Sequence, residues 1–224
     1  MPRIARAVAI GYPHHITQRG NNRSDVFFDD DDRKFYCDTL IRYSRKYSLE
    51  IWSYCLMTNH IHLLAVPRKG ESLSRGIGVT NLLYTQYLNR KLGNSGRVWQ
   101  NRFFSCAVES DIYLWSVVRY IVRNPVKAGL VPAAELYRWS SASAHVCGAF
   151  DPIISDTAWL AAEQRDQFGD FLTTPSEEEE SLIRKKTTTG RPLGTDLFVD
   201  NLEYMIASSL RLKPRGRPKK IVYK

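Results

Sequence analysis

Four segments of strand-like composition and two long helical patterns, in the order strand, helix, strand, strand, helix, strand, predict an α+β fold for this 224-residue chain. That order is the split βαβ pattern of a ferredoxin-like (RRM-like) βαββαβ sandwich with an open antiparallel sheet. Two further observations complete the expectation. Extra helical patterns follow the fourth strand, and positive charge gathers in a basic C-terminal tail.

The first strand covers Tyr12 to Gln18 and stops at the turn signal Gly20-Asn21-Asn22. The acidic run Asp29 to Asp32 then opens a helix carrying Phe35, Leu40, Tyr43 and Tyr47, where carboxylates complement the helix dipole. Leu49 to Met57 and His60 to Val66 read as two strands, and the short polar link Thr58-Asn59 makes them a hairpin. A second helix runs from Glu71 or Ser72 to Lys91 with Leu73, Ile77, Leu83, Tyr87 and Leu88; Gly76 and Gly78 weaken its beginning. Gly93-Asn94-Ser95-Gly96 ends it, and Phe103 to Val108 forms the fourth strand. A third helix spans Asp111 to Arg123, with Ser110 as candidate N-cap and Pro125 as the stop.

From Leu136 the pattern is less regular: Trp139-Ser140-Ser141-Ala142, Asp151-Pro152, and a short helix near Thr157 to Phe171. Residues 173–181 read as a solvated boundary, and a last helix covers Thr195 to Ser209. No internal repeat is present. The expected division is a core domain over 1–134, a helical extension packed on it over 135–180, and a basic segment over 181–224.

The formal net charge of +9 is unevenly placed. Residues 1–183 hold 21 Lys and Arg against 20 Asp and Glu, whereas residues 184–224 hold 11 against 3. A neutral body with a basic tail points to a polyanionic partner, because clustered cations gain affinity by displacing counterions from phosphates. A solubilising tail is the alternative on charge alone. The four cysteines, Cys37, Cys55, Cys106 and Cys147, form no C-x-x-C pair, which suits reduced thiols rather than a disulfide framework or zinc ribbon. No apolar run reaches membrane-spanning length, and the first residues do not read as a secretory signal, so a cytoplasmic protein without a membrane partner is expected.

The sharpest local feature is His60-Ile61-His62. Residues two apart on a strand share a face, so both imidazoles can meet one metal while Ile61 faces the core. Two further ligands must come from elsewhere. Read alone, the pair also suits polar residues on an exposed sheet face. The second feature is Tyr120-Ile121-Val122-Arg123-Asn124, whose ends lie four apart and hence on one helix face. Asn124 offers a neutral oxygen ligand and Tyr120 a phenolic oxygen, while core packing and helix capping are their alternatives. A tyrosine needs assistance to act as a nucleophile at neutral pH, and a divalent metal helps by polarising a phosphate and holding it in line.

Several motifs extend along nearly the whole chain in order. They are His15-Ile16-Thr17-Gln18-Arg19-Gly20-Asn21-Asn22, Leu56-Met57-Thr58-Asn59-His60-Ile61-His62-Leu63-Leu64, Trp99-Gln100-Asn101-Arg102-Phe103, Tyr120 to Gly129, Trp139-Ser140-Ser141, and Gly190-Arg191-Pro192-Leu193-Gly194. In these the chain resembles the REP-associated tyrosine transposases, within the HUH single-tyrosine transposases; Thr58 stands where the family usually has proline. The resemblance implies a metal-dependent single-stranded DNA endonuclease and strand-transferase domain over 1–134, acting on hairpin-forming repeats. It implies His60, His62 and Asn124 as metal ligands, Mg²⁺ or Mn²⁺ as cofactor, and Tyr120 as a nucleophile giving a 5′-phosphotyrosine and a free 3′-hydroxyl. The nitrogen ligands suit Mn²⁺, and zinc is also compatible with them. Relatives act as monomers or dimers, so a homodimer is one of two expected states.

Tyr113, seven residues before Tyr120, is the runner-up nucleophile. It lies two turns, roughly 10 Å, down the axis. Tyr84 and Tyr87 suit packing or base stacking. For DNA binding, Arg19, Arg23, Arg97, Arg102 and Lys127 are candidate phosphate contacts, and Trp99, Phe103 and Phe104 are candidate stacking or core residues. The tail Lys213 to Lys220 resembles an AT-hook, with Arg215 and Arg217 entering an A·T-rich minor groove. A non-catalytic hairpin DNA- or RNA-binding module, with exposed aromatics on central strands, is the competing class.

Overall fold

A computed structural model describes residues 8–155 and 159–211. Its centre is a four-stranded antiparallel sheet of β1 (His14–Arg19), β2 (Leu49–Leu56), β3 (His60–Pro67) and β4 (Phe104–Ala107), ordered β2-β3-β1-β4. With α1 (Asp30–Lys46) between β1 and β2, and α2 (Ser72–Leu92) between β3 and β4, this is the expected βαββαβ arrangement. Asp29 accepts from the Asp32 backbone N–H while the Asp32 carboxylate accepts from that of Asp29, so the acidic run caps α1 as its sequence suggested.

The period-two alternation of β1 and β3 sorts their side chains onto two faces. Ile16, Ile61, Leu63 and Ala65 face α1 and α2 in a core with Leu40 and Tyr84. His15, His60, His62 and Leu64 face the other way. The sheet is open in not closing into a barrel, but its second face is covered. There α3 (Ser110–Val122) lays down Val117, Val118 and Ile121, with Phe168 of α6 (Arg165–Thr173) and Ile183 of α7 (Glu177–Thr189) behind it. The polar histidines are thus enclosed rather than displayed.

Both sheet edges are protected by backbone bonds from outside the four strands, which answers the exposed-edge problem. Beside β2, Leu56 N–H donates to Trp139 O and Ser141 N–H to Tyr54 O. Beside β4, Leu193 N–H donates to Ala107 O and Glu109 N–H to Leu193 O. The Trp-Ser-Ser and Gly-Arg-Pro-Leu-Gly motifs therefore seal edges. A Cβ on Gly194 would meet Phe198 at 2.2 Å, so this seal requires glycine there.

Four expectations are corrected. Ser110 is the first residue of α3 rather than its cap; Glu109 precedes it, and its carboxylate accepts from the Thr195 backbone N–H and hydroxyl. Pro125 does not stop the helical path but enters the first turn of α4 (Asn124–Lys127), where its missing N–H has no partner to lose. Residues 173–181 are mostly exposed, but they are not all loop: α6 ends and α7 begins within them, with Ser176 capping α7 by accepting from Glu179 N–H. The expected division at 180/181 consequently falls inside α7. The helix near Thr157 to Phe171 is α6, beginning at Arg165 and preceded by α5 (Ala142–Cys147); residues 156–158 lie outside the described residues. The last helix, α8 (Asp196–Ile206), is capped by Thr195. Among the described residues no helix is long and apolar enough to cross a membrane.

Candidate active site

Three histidines from two neighbouring strands meet beneath α3. The His60 and His62 ring centroids are 5.0 Å apart, and those of His15 and His62 are 5.3 Å apart and stacked. The ring of Tyr120 stands edge-on to both His62 and His15, at 5.4 and 5.5 Å. Tyr120 is half-buried, and no hydrogen bond reaches its hydroxyl among the described residues. Tyr113 packs against the second core, and among the described residues no ring contact joins it to the two imidazoles that Tyr120 faces.

The hydrogen-bond chain behind these rings assigns their tautomers. Thr187 of α7 donates its hydroxyl to Ile183 O at 2.8 Å, so its oxygen accepts from His15 Nδ1–H at 2.7 Å. His15 Nε2 then carries a lone pair and accepts from His62 Nδ1–H at 3.1 Å. A second chain fixes His60. Asn59 spends its amide N–H on Arg23 O, so its Oδ1 accepts from His60 Nδ1–H at 2.6 Å. His60 and His62 therefore both turn an Nε2 lone pair to the site, the form a metal requires, with Nδ1 anchored by an outer partner.

Asn124 lies beside this pair. Its Nδ2 donates to Tyr120 O at 2.6 Å and Ile121 O at 3.3 Å, leaving Oδ1 as the free acceptor, and its side chain reaches the His60 ring. An imidazole nitrogen of His60 and the Asn124 Oδ1 are thus both available as donors at one place, where a cation would find them. Two imidazoles and one amide fit a divalent metal in chemistry. No group of three His, Cys, Asp or Glu residues is arranged for a metal among the described residues, because the third donor here is an amide and His15 is already bonded to His62.

Burial holds these imidazoles neutral. It pushes His60 down to about 4, reinforced by the Arg19 charge, and His15 down to about 3. His62 is also lowered, first by burial and then by charges that include Arg19 and Arg184. Neutral imidazoles near the charges of Arg19 and Arg184 make a site that favours an anion.

The tyrosine helix is fixed from behind. The buried Arg119 donates to Glu179 at 2.5 Å and to Thr174 O at 2.6 Å, and its guanidinium lies 3.9 Å from the Phe171 ring centroid. Arg123 donates to Leu172 O, and Lys127 pairs with Glu180. Lys127 is thereby committed to a carboxylate. Arg19, Arg23, Arg97 and Arg102 are exposed and make no ion pair with described residues, while Arg215 and Arg217 lie outside them. Trp99 and Phe103 are buried, Phe104 is exposed, and Tyr84 and Tyr87 are packing residues bonded to Val26 O and Asp32.

Sequence reasoning missed His15, Thr187, Arg184 and Arg119 as parts of this site. The signal for α7 was present: Ser176 before four glutamates, Arg184-Lys185-Lys186 in the closing turns, then Gly190.

A family model described as "Transposase IS200 like" matches residues 10–124, just over half of the chain. The chain is 29% identical over 105 residues to a Haemophilus influenzae protein provisionally named REP-associated tyrosine transposase, covering 42% of this chain and 60% of that one. The match thus spans about three fifths of that relative's length. The solved structure of a REP-associated tyrosine transposase bound to a REP hairpin superposes with a TM-score of 0.54 at 20% identity, covering 72% of this chain and 98% of that one. At that identity the likeness establishes the fold.

Proposed function

This chain belongs to the IS200-like transposase family, and from that premise we propose that it is a metal-dependent endonuclease and strand-transferase of single-stranded, hairpin-forming DNA. One observation carries the proposal. The unengaged Tyr120 hydroxyl belongs to a ring set against His62, one helical turn from an Asn124 whose side chain lies beside the His60 ring.

His60, His62 and Asn124 would hold Mg²⁺ or Mn²⁺. When bound, the ion polarises the scissile phosphate and neutralises its charge. Tyr120 Oη attacks phosphorus, a phosphotyrosine bond forms to the 5′ side, and the bond to the 3′-oxygen breaks. The proton lost by the phenol balances the one gained by the departing 3′-oxygen. Because the new ester keeps the energy of the broken one, a 3′-hydroxyl can reverse the step and join strands. Arg19 and Arg184 add positive charge beside the phosphate. Buried Arg119 keeps α3 from shifting, so the hydroxyl is presented without reorganisation.

A non-catalytic module of RRM type would display aromatics on a bare sheet face; here that face carries histidines and is covered by α3 and α7. The test is to incubate the protein with hairpin DNA labelled at its 3′ end and Mn²⁺ or Mg²⁺, then denature it. A labelled protein band that disappears in Tyr120→Phe and with a chelator is expected. Tight binding with no such band on a broad hairpin library would instead support the binding module.

A further inference from the structure

A cavity of about 650 Å³ lies on the other side of the sheet from Tyr120, between α2 and the segment joining it to β4. It falls in the size range of small-ligand sites, roughly 300–1,000 Å³. Its lining holds an unmet acceptor. Gln18 is 3% exposed and donates Nε2–H to Asn101 O at 2.7 Å, which fixes the amide and leaves Oε1 buried with no hydrogen-bond partner among the described residues. Such an orphan costs about 1–3 kcal/mol unless something donates to it. Asn81 offers the opposite polarity beside it: its Oδ1 accepts from the Tyr36 hydroxyl, so its Nδ2 remains to donate.

The walls suit a flat, apolar-faced molecule. Trp99 is anchored by its indole N–H on Asn81 O at 3.2 Å and lines the cavity with Phe103. Arg97 and Arg102, both exposed, stand at the same cavity. The space is also kept open by sequence. Gly78 lies inside α2 with ordinary helical backbone, and a Cβ there would meet nothing within 4 Å. A mid-helix glycine weakens the helix by roughly 1 kcal/mol relative to alanine, and a Cβ on the neighbouring Gly76 would press on the Leu49 side chain at 2.9 Å while nothing crowds Gly78.

We infer that this cavity receives one unpaired nucleobase of the DNA strand, its edge hydrogen-bonded by Gln18 Oε1 and Asn81 Nδ2, its face against Trp99 and Phe103, and its phosphate at Arg97 and Arg102. A base has one flat apolar body and a donor beside an acceptor on its edge, which matches an acceptor and a donor from two fixed amides. A paired base cannot offer that edge to a cavity, so the occupant is single-stranded or extruded. The cavity is coupled to the candidate active site through β1. Gln18 faces the cavity, and the adjoining Arg19 pairs in register with His60 on the opposite face. Backbone bonds from Asn21 N–H to Val98 O and from Gln100 N–H to Arg19 O clip the cavity wall to that strand end. The inference rests on the strand-processing proposal only in taking single-stranded DNA as the ligand.

The test compares binding of hairpin DNA with that of the same DNA carrying one abasic nucleotide at each unpaired position in turn. Loss on the order of ten- to a hundredfold at one position is expected, the range of stacking for a single base. Gly78→Leu, which fills the cavity from a helix-favouring residue, is expected to bind intact DNA as weakly as the unaltered chain binds that abasic DNA. It is also expected to lose discrimination between the two. Gly78→Ala, adding one methyl group, reports whether the helix tolerates a side chain. Equal binding of every abasic DNA by the unaltered chain overturns the inference, and so does a folded Gly78→Leu that still discriminates. Adduct formation by the unaltered chain on intact DNA is followed in parallel. Position-dependent binding without any adduct would remove the strand-transfer proposal and leave the base pocket standing.

Discussion

Replacing Thr187 by valine removes one oxygen from a helix that carries none of the proposed ligands, yet it should reach the metal proposed at His60 and His62. Thr187 is 1% exposed, and its hydroxyl is the acceptor that sets the tautomer of His15 and, through it, that of His62. In Thr187→Val, His15 Nδ1–H either stays buried without a partner, at about 1–3 kcal/mol, or moves its proton to Nε2. In the second case His62 Nδ1 must become an acceptor, and its proton passes to the Nε2 that ligation needs. Outer-shell partners of ligating histidines are typically worth about 10- to 100-fold in metal affinity or activity. The assay is the rate of phosphotyrosine formation against Mn²⁺ concentration, alongside urea denaturation. Thr187→Val should need about 10- to 100-fold more Mn²⁺ for half-saturation, whereas Thr187→Ser, which keeps the acceptor, should stay near the unaltered chain. A folded Thr187→Val with unchanged Mn²⁺ dependence would refute the hydrogen-bond chain as the device that presents His62.

Three other outcomes are expected. Arg119→Met leaves two carbonyls and Glu179 without their donor, so urea denaturation should show a loss of about 2–4 kcal/mol, while exposed Lys127→Met should change stability by at most about 1 kcal/mol; equal effects would contradict the latch on α3. His145 is buried with both ring nitrogens unpartnered among the described residues, and burial pushes it down to about 3, helped by Arg165. The unfolded chain therefore binds a proton below pH 6.5 that the folded chain refuses, stability is full above that pH, and it falls as pH drops toward 3. Between pH 6.5 and 5 this histidine alone accounts for about 2 kcal/mol, so His145→Leu should flatten the pH slope of urea stability by that amount, and an unchanged slope would show that His145 does not stay neutral. Because the donors at His60, His62 and Asn124 carry no negative charge, Mn²⁺ should bind more tightly when hairpin DNA is present, as read by titration calorimetry with Tyr120→Phe; equal affinity with and without DNA would contradict the neutral-donor account.

The sheet and its first two helices were legible because their burial is periodic: Ile61, Leu63 and Ala65 alternate with His60, His62 and Leu64, and Asp29 to Asp32 announces α1. The pair His60 and His62 was visible for the same reason, and Tyr120 with Asn124 from helical spacing. The closing layer was not. In α7 only Ile183 and Thr187 are fully buried, so a helix that seals the site reads as a polar stretch with a charged start. His15 and Thr187 are 172 residues apart in sequence, and nothing local marks either as half of a buried pair. Ser110 looked like a cap because of its residue type, but Glu109 bonds Thr195, a tertiary contact that propensity cannot anticipate. Gln18 gave no signal either; its importance lies in one oxygen left over after Asn101 has taken its amide hydrogens.

The central claim is that Tyr120 becomes covalently joined to DNA, and the chain offers a direct way to read it. Trypsin cuts after Arg119 and Arg123, so Tyr120 falls in the peptide Tyr120 to Arg123 while Tyr113 falls in the peptide Phe103 to Arg119. After reaction with hairpin DNA and Mn²⁺, nuclease trimming, digestion and mass spectrometry should find the nucleotide on Tyr120, with Tyr113 unmodified. A nucleotide on Tyr113, or a denaturation-resistant adduct that survives Tyr120→Phe, would contradict it.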